Sequence, residues 1–213
     1  MLMSITLPDS RALLRLALAS IALALGLGRA AAASEVTAPV EQFHAGLIAI
    51  MKAGKTAPFR QRYDMIAPLI GRTFDLEVIL RQVIGPRWAS LPPEQQAALG
   101  DAFRRYTVTS YVANFDSYFG QRFEVVPAVR AVGSDRVVET RIASASGQAH
   151  GLDYVMRQEG GSWKVVDVLA DGAVSRVAAQ RSEMRSVLAD GGGIGLLVSL
   201  RQKTAELSGG ILQ

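Results

Sequence analysis

The spacing of apolar residues changes twice along this chain, and these changes constrain the fold more than any other feature. Up to about residue 118, apolar side chains recur every three or four positions, as is typical of amphipathic helices. Between residues 123 and 169, four segments follow the shorter period of β-strands, and after residue 175 the helical period returns. This order predicts an α+β fold, with helices packed on one face of a curved, mainly antiparallel four-stranded sheet.

The predicted elements are bounded by residues that ordinarily begin or end helices and strands. Asp75 can cap the third helix, which ends at Gly85-Pro86. Gly160-Gly161 predicts a tight turn that joins the last two strands into a hairpin. Gly191-Gly192-Gly193 separates two C-terminal helices, the first of which begins near Ser175. The predicted strands cover residues 123–129, 136–143, 152–157 and 163–169.

Residues 1–33 have the pattern of a secretory signal peptide. Basic residues precede an apolar run from Leu16 to Gly28, and Ala30 to Ser34 offers the small residues that signal peptidase prefers. The run is shorter than the ~20 apolar residues that span a bilayer. We therefore expect cleavage after Ala33, which leaves residues 34–213 as a single domain. An uncleaved anchor helix is the alternative.

Composition excludes several classes of protein. The chain has no cysteine, so disulfides, thiolate metal sites and lipidation of a cysteine after the cleavage point are all ruled out. The predicted signal holds three of the 23 basic residues and one of the 19 acidic residues, which leaves a net charge of +2. Without clusters of Lys and Arg, that charge indicates neither nucleic-acid binding nor a stable membrane anchor.

The sequence offers no recognisable catalytic motif. It lacks the nucleophile elbow of hydrolases and the zinc-binding motif of metalloproteases, and Gly193-Ile-Gly195 lacks the third glycine of a dinucleotide-binding loop. His44 and His150 are the two histidines of the chain, and we interpret both as structural. The sequence therefore predicts a protein that is not an enzyme and binds no metal or cofactor.

Carboxylates on the predicted hairpin are the remaining candidates for a chemical site. Asp153, Asp167 and Asp171 could form a cluster, and the first two lie on neighbouring strands, where they could approach each other. Strand alternation, however, turns Asp153 away from the face that carries Tyr154, toward the basic side chains of Arg157 and Lys164. We expect a solvated face of ion pairs here.

Apolar and aromatic side chains are abundant on both the long helix and the hairpin. Their periodicity can turn a subset toward a shared interior, either as an ordinary core or as the lining of a cleft that holds a lipid tail. The candidate lipid-binding residues are Leu80, Phe103, Tyr106, Tyr111, Tyr154, Met156 and Val166.

Several segments, in order and spacing, resemble the MlaC or toluene-tolerance family of periplasmic phospholipid-binding proteins. They are Phe59-x-x-Arg62, Phe74-Asp75, Gly85-Pro-Arg-Trp88, Phe103-Arg-x-Tyr106, Asp153-Tyr154, Gly161-x-Trp163-Lys164 and Asp167-Val168. The chain departs from the family pattern at Asp171-Gly-Ala-Val-Ser175, one residue longer than the usual Glu-Gly-Val-Ser, and at Gln180-Arg181. Both departures resemble the hopanoid-associated HpnM branch.

The resemblance implies a periplasmic lipid carrier that shuttles phospholipid or hopanoid between the outer and inner membranes. Its implied partners are an inner-membrane lipid transporter, which it would serve as an auxiliary component, and an outer-membrane donor or acceptor complex, each contacted transiently. The resemblance implies no cofactor and no catalysis. Two alternatives remain: a small periplasmic hydrolase or isomerase with a cone-shaped fold, and an envelope adaptor that binds no lipid.

Overall fold

The strands of the computed structural model, which describes residues 33–212, form one sheet in the order β1-β2-β3-β4-β5. Every neighbouring pair is antiparallel, so the sheet is a meander of consecutive strands. The strands are β1 (Arg122–Val132), β2 (Asp135–Ala143), β3 (Ala149–Glu159), β4 (Ser162–Ala170) and β5 (Val174–Ser175). The predicted signal peptide lies outside the described residues, apart from residue 33.

The prediction of four strands is corrected to five. Val174 pairs with Ala170 and Ser175 with Leu169, at the edge of the sheet next to β4. Two residues are too few to show a period of two, which is why the sequence pattern did not reveal β5. The four predicted strands are all present, and the α+β fold is confirmed.

Five α-helices complete the described part of the chain. They are α1 (residues 33–53), α2 (Phe59–Thr73), α3 (Leu76–Ile84), α4 (Pro93–Asn114) and α5 (Arg176–Leu207), with a 3-10 helix, Gly85–Ser90, after α3. Gly192, with φ 58° and ψ −149°, breaks α5 into two helical stretches, as the glycine triplet predicts. Helix α4 ends at Asn114, a few residues before the helical period of the sequence stops near residue 118, because Phe115 leaves the helical conformation.

Helices pack on one face of the sheet around a shared hydrophobic core. From the sheet, Val138, Tyr154, Met156 and Val165 enter this core, and every helix contributes buried side chains to it. The link between α2 and α3 is attached directly to the sheet, since the backbone N–H of Asp75 donates to the carbonyl of Val165 at 2.9 Å. None of the helices in residues 33–212 is long and apolar enough to cross a membrane.

Asp75 also caps α3, as predicted. Its Oδ1 accepts a hydrogen bond from the backbone N–H of Val78 at 3.0 Å, which satisfies one of the free donors of the first turn. We expect Asp75→Ala to lower the free energy of unfolding by about 1 kcal/mol. Asp75→Asn keeps a capping oxygen and should be close to wild type in chemical denaturation. Equal losses in both variants would show that the cap does not stabilise the helix.

Strand β1 forms the other edge of the sheet and is irregular. Its register against β2 shifts between Val125 and Val129, and Pro127 lies inside that shift. Proline has no N–H to donate to a ladder, so it is tolerated at an edge or a bulge. The sequence-based prediction of an edge or bulged strand at this position is confirmed.

Candidate functional site

A cavity of about 360 Å³ lies between the helices and the sheet. Its volume falls in the lower part of the range of about 300–1,000 Å³ that is usual for small-ligand pockets. Most of the wall is aliphatic or aromatic, from Leu47, Phe74, Leu76, Ile79, Phe103, Tyr106, Tyr111, Phe115, Leu152, Tyr154, Val168 and Val177. Such a wall can shield an apolar group from water but offers it few hydrogen bonds.

An aromatic cluster beside the cavity centres on Phe43 of α1. The Phe43 ring meets those of Phe74 and Tyr111 edge-to-face, at centroid distances of 5.0 and 5.1 Å. It also meets Tyr154 at 6.4 Å in the same geometry. Edge-to-face packing is the favoured arrangement for aromatic rings, and it holds three lining residues in fixed positions.

A buried hydrogen bond connects this wall to His44. Nε2 of His44 lies 3.0 Å from the Tyr154 hydroxyl, and the His44 ring stacks on Phe123 at a centroid distance of 4.3 Å. Burial lowers the pKa of His44 to about 4 and raises that of Tyr154 well above its usual value. Both groups are therefore neutral near pH 7, and the pair acts as a polar contact within the core.

Four of the seven predicted binding residues lie on the cavity wall. Phe103, Tyr106 and Tyr111 reach it from α4, and Tyr154 reaches it from β3. Leu80 and Met156 do not line the cavity and are completely buried elsewhere in the hydrophobic core. A role in lipid binding stays a prediction for all seven.

Val166 is buried but belongs neither to the cavity wall nor to the main core cluster. The register of β3 against β4 shifts between Val155, which pairs with Asp167, and Met156, which pairs with Val165. Val166 is thus the extra residue of a β-bulge, where simple alternation no longer applies. Beyond the bulge, Val168 lines the cavity instead.

Polar residues form the rest of the lining, and the sequence suggested only one of them, Asp167, as part of an expected face of ion pairs. They are Thr107, Ser110, Asn114, Asp167, Arg176 and Gln180. The spacing of the α4 and α5 members, three or four residues apart, was a usable signal, because such residues share a helix face. On α4 it was hidden by Tyr106 and Tyr111, which lie next to Thr107 and Ser110 in the sequence.

The carboxylates of the hairpin do not form the predicted solvated ion pairs. Asp153 is nearly buried and accepts a hydrogen bond from the backbone N–H of Thr140 at 3.4 Å, and burial raises the pKa of its carboxyl group. Arg157 instead pairs with Asp135, at 2.8 Å. The expectation of an ion-pair face around Asp153 was therefore wrong.

Asp167 is the one carboxylate that lines the cavity within residues 33–212. It accepts hydrogen bonds from the backbone N–H groups of Val168 and Val177, at 2.7 and 3.1 Å, and from the Ser175 hydroxyl. The contacts with Ser175 and Val177 hold β4 against the start of α5. Among the described residues, no three His, Asp or Glu side chains come together in a way that could hold a metal ion.

Comparisons with known proteins agree with this architecture. The family model described as "MlaC protein" matches residues 41–202. The toluene tolerance protein ttg2D of Pseudomonas putida is 24% identical over 111 residues, which is 52% of each chain. The chain thus spans about half the length of this relative.

The same fold is found in a solved structure. It is the phospholipid-binding protein from Ralstonia solanacearum, determined in complex with a phospholipid. The two proteins superpose with a TM-score of 0.70 at 21% identity, over 82% of this chain and 99% of the other.

Proposed function

The chain belongs to the MlaC family, and on that basis we propose that it is a lipid carrier that holds an acyl chain in the cavity between its helices and its sheet. The observation that carries the proposal is the cavity itself, with its largely aliphatic and aromatic wall. The solved structure with the same fold contains a phospholipid, and this supports a phospholipid as the cargo.

The size of the cavity sets how much of a lipid it shields. At about 30 Å³ for each water-sized group, 360 Å³ holds roughly 12 methylene groups. Keeping that many methylenes out of water is worth about 10 kcal/mol, at about 0.8 kcal/mol each. The cavity therefore has room for most of one acyl chain. A lipid with two chains requires it to widen.

The proposed setting is the periplasm, the aqueous compartment between two membranes. Spontaneous transfer of a lipid through water is slow because the whole apolar surface must be exposed, and a soluble carrier removes that barrier. The proposed partners are an inner-membrane lipid transporter and an outer-membrane donor or acceptor complex, each engaged transiently while the lipid passes. The predicted signal peptide, residues 1–33, supports export to this compartment.

The polar groups of the cavity support binding rather than catalysis. Acid–base catalysis needs a titratable group placed against the reacting atom. Asp167 already accepts three hydrogen bonds, and two of them, from Ser175 and Val177, connect β4 to the start of α5. His44 bonds to Tyr154 inside the core and does not line the cavity.

Lipid extraction tests this function. Protein purified from the periplasm with its signal removed should release lipid in roughly stoichiometric amounts on organic extraction, as measured by mass spectrometry. The same spectra identify a phospholipid or a hopanoid. Lipid-free preparations that also take up nothing from liposomes would contradict the carrier and favour an envelope adaptor.

A charge inside the cavity should prevent loading. Tyr106 is half-buried on the wall, and an ionised Glu in its place would have to be desolvated by the incoming acyl chain. We expect Tyr106→Glu to reduce liposome uptake by about tenfold or more. Tyr118→Glu is the matched control, because Tyr118 lies outside the cavity and is exposed. Equal uptake by both folded variants would show that Tyr106 does not contact the lipid.

A further inference from the structure

Two polar rows face the cavity from adjoining helices. On α4, Thr107 and Ser110 line it one helical turn apart. On α5, Arg176 and Gln180 line it with the same kind of spacing. An otherwise apolar cavity thus carries a small set of hydrogen-bond donors, the positive charge of Arg176 and the carboxylate of Asp167.

The hydroxyls of Thr107 and Ser110 have no hydrogen-bond partner in the described part of the chain, although both oxygens are buried. Buried hydroxyl groups in folded proteins are almost always hydrogen-bonded, so two unpaired ones beside the same cavity require an explanation. A ligand with acceptor atoms in the cavity provides one.

The guanidinium of Arg176 is available to a ligand. Within residues 33–212, no carboxylate forms a salt bridge with this guanidinium. Asp167 lines the same cavity, but its oxygens accept hydrogen bonds from two backbone N–H groups and from Ser175. Arg176 is exposed, so an incoming anion can reach it from the solvent.

We propose that Arg176, together with the hydroxyls of Thr107 and Ser110, binds the phosphate group of the lipid whose acyl chain fills the cavity. The guanidinium offers paired N–H donors that match two phosphate oxygens, and each hydroxyl can donate to another. The neighbouring Tyr111 phenol adds no negative charge, since burial raises its pKa. This inference rests on the proposed carrier function and selects lipids that bear a phosphate over uncharged lipids.

Two probes that share their acyl chains test the proposal. Dioleoylphosphatidylglycerol carries the phosphate and dioleoylglycerol does not, and each is offered in vesicles to the protein without its signal. We expect Arg176→Gln to weaken binding of the phosphatidylglycerol by about tenfold and to leave dioleoylglycerol binding unchanged. Arg185→Gln is the matched control, because Arg185 is an exposed arginine of the same helix that does not line the cavity.

The outcomes separate the two proposals. If Arg176→Gln binds phosphatidylglycerol as wild type does, the phosphate site is overturned and the carrier stands. If the wild-type protein binds neither lipid, the carrier itself fails. We expect inorganic phosphate to compete poorly, because it lacks an acyl chain. Tight binding of inorganic phosphate without any preference for the phosphorylated lipid would indicate a free-anion site and overturn the lipid assignment.

The hydroxyls provide a second test that does not depend on the arginine. Thr107→Val and Ser110→Ala remove each oxygen with little change of shape. We expect each to weaken phosphatidylglycerol binding severalfold without lowering Tm, because the lipid-free protein loses no hydrogen bond. A lower Tm with unchanged binding would assign the hydroxyls to the fold and remove them from the site.

Discussion

Replacing Phe43 by alanine is expected to lower the free energy of unfolding by about 3–5 kcal/mol. Phe43 is completely buried at the centre of the aromatic cluster, where its ring contacts Phe74, Tyr111 and Tyr154. Truncation removes these contacts and leaves a void that the surrounding helices and sheet fill only in part. The loss should appear as a lower midpoint in urea with an unchanged m-value.

Phe119→Ala is the matched control for this experiment. Its side chain is 73% exposed, so we expect a change of less than about 0.5 kcal/mol. A loss below about 1 kcal/mol for Phe43→Ala would mean that the cluster repacks freely. In that case, the rings beside the cavity are not fixed in position.

The free energy of unfolding is expected to fall by about 3 kcal/mol as the pH drops from about 6.5 to about 4, through His44 alone. The folded protein keeps His44 neutral, since burial lowers its pKa to about 4, whereas the unfolded chain protonates it near pH 6.5. In that interval the unfolded state binds more protons, so acid favours unfolding. Below pH 4, His44 is protonated in both the folded and the unfolded state, so it lowers the free energy of unfolding no further.

Comparison with His44→Gln isolates the histidine from the carboxylates that also titrate in acid. Glutamine can keep a hydrogen bond to the Tyr154 hydroxyl but has no proton to gain. Urea denaturation at half-unit steps from pH 4 to pH 7 should show a steeper decline for wild type than for the variant. Parallel curves for the two proteins would show that His44 has the same pKa in the folded protein and in the unfolded chain.

Apolar periodicity correctly predicted the α+β fold and its principal elements. The cap of α3 was also predicted correctly, since the Asp75 side chain accepts a hydrogen bond from the first turn of that helix. The positions of side chains across the bulge in β4 were not predictable, because one extra residue reverses the alternation beyond it. Val166 was therefore assigned to the cavity, whereas Val168 lines it.

Which buried side chains line the cavity depends on the distances between helices and strands. A single sequence does not give these distances. Ile79 and Leu80 are adjacent on α3 and both are buried, yet only Ile79 lines the cavity. The polar lining was missed for a related reason. Arginine and serine are common on protein surfaces, so nothing in the sequence distinguished Arg176 and Ser110. They form a candidate site because α4 and α5 pack beside the same cavity.

The irregular edge of the sheet has a consequence for the behaviour of the protein at high concentration. A straight edge strand presents a row of unpaired backbone groups on which a second chain can add a strand. Here Pro127 removes one donor from β1, and the register shift between Val125 and Val129 interrupts the row. The opposite edge, β5, is only two residues long. An interrupted β1 edge is a poor template for intermolecular β-sheet, so we expect it to resist the growth by strand addition that starts many aggregates.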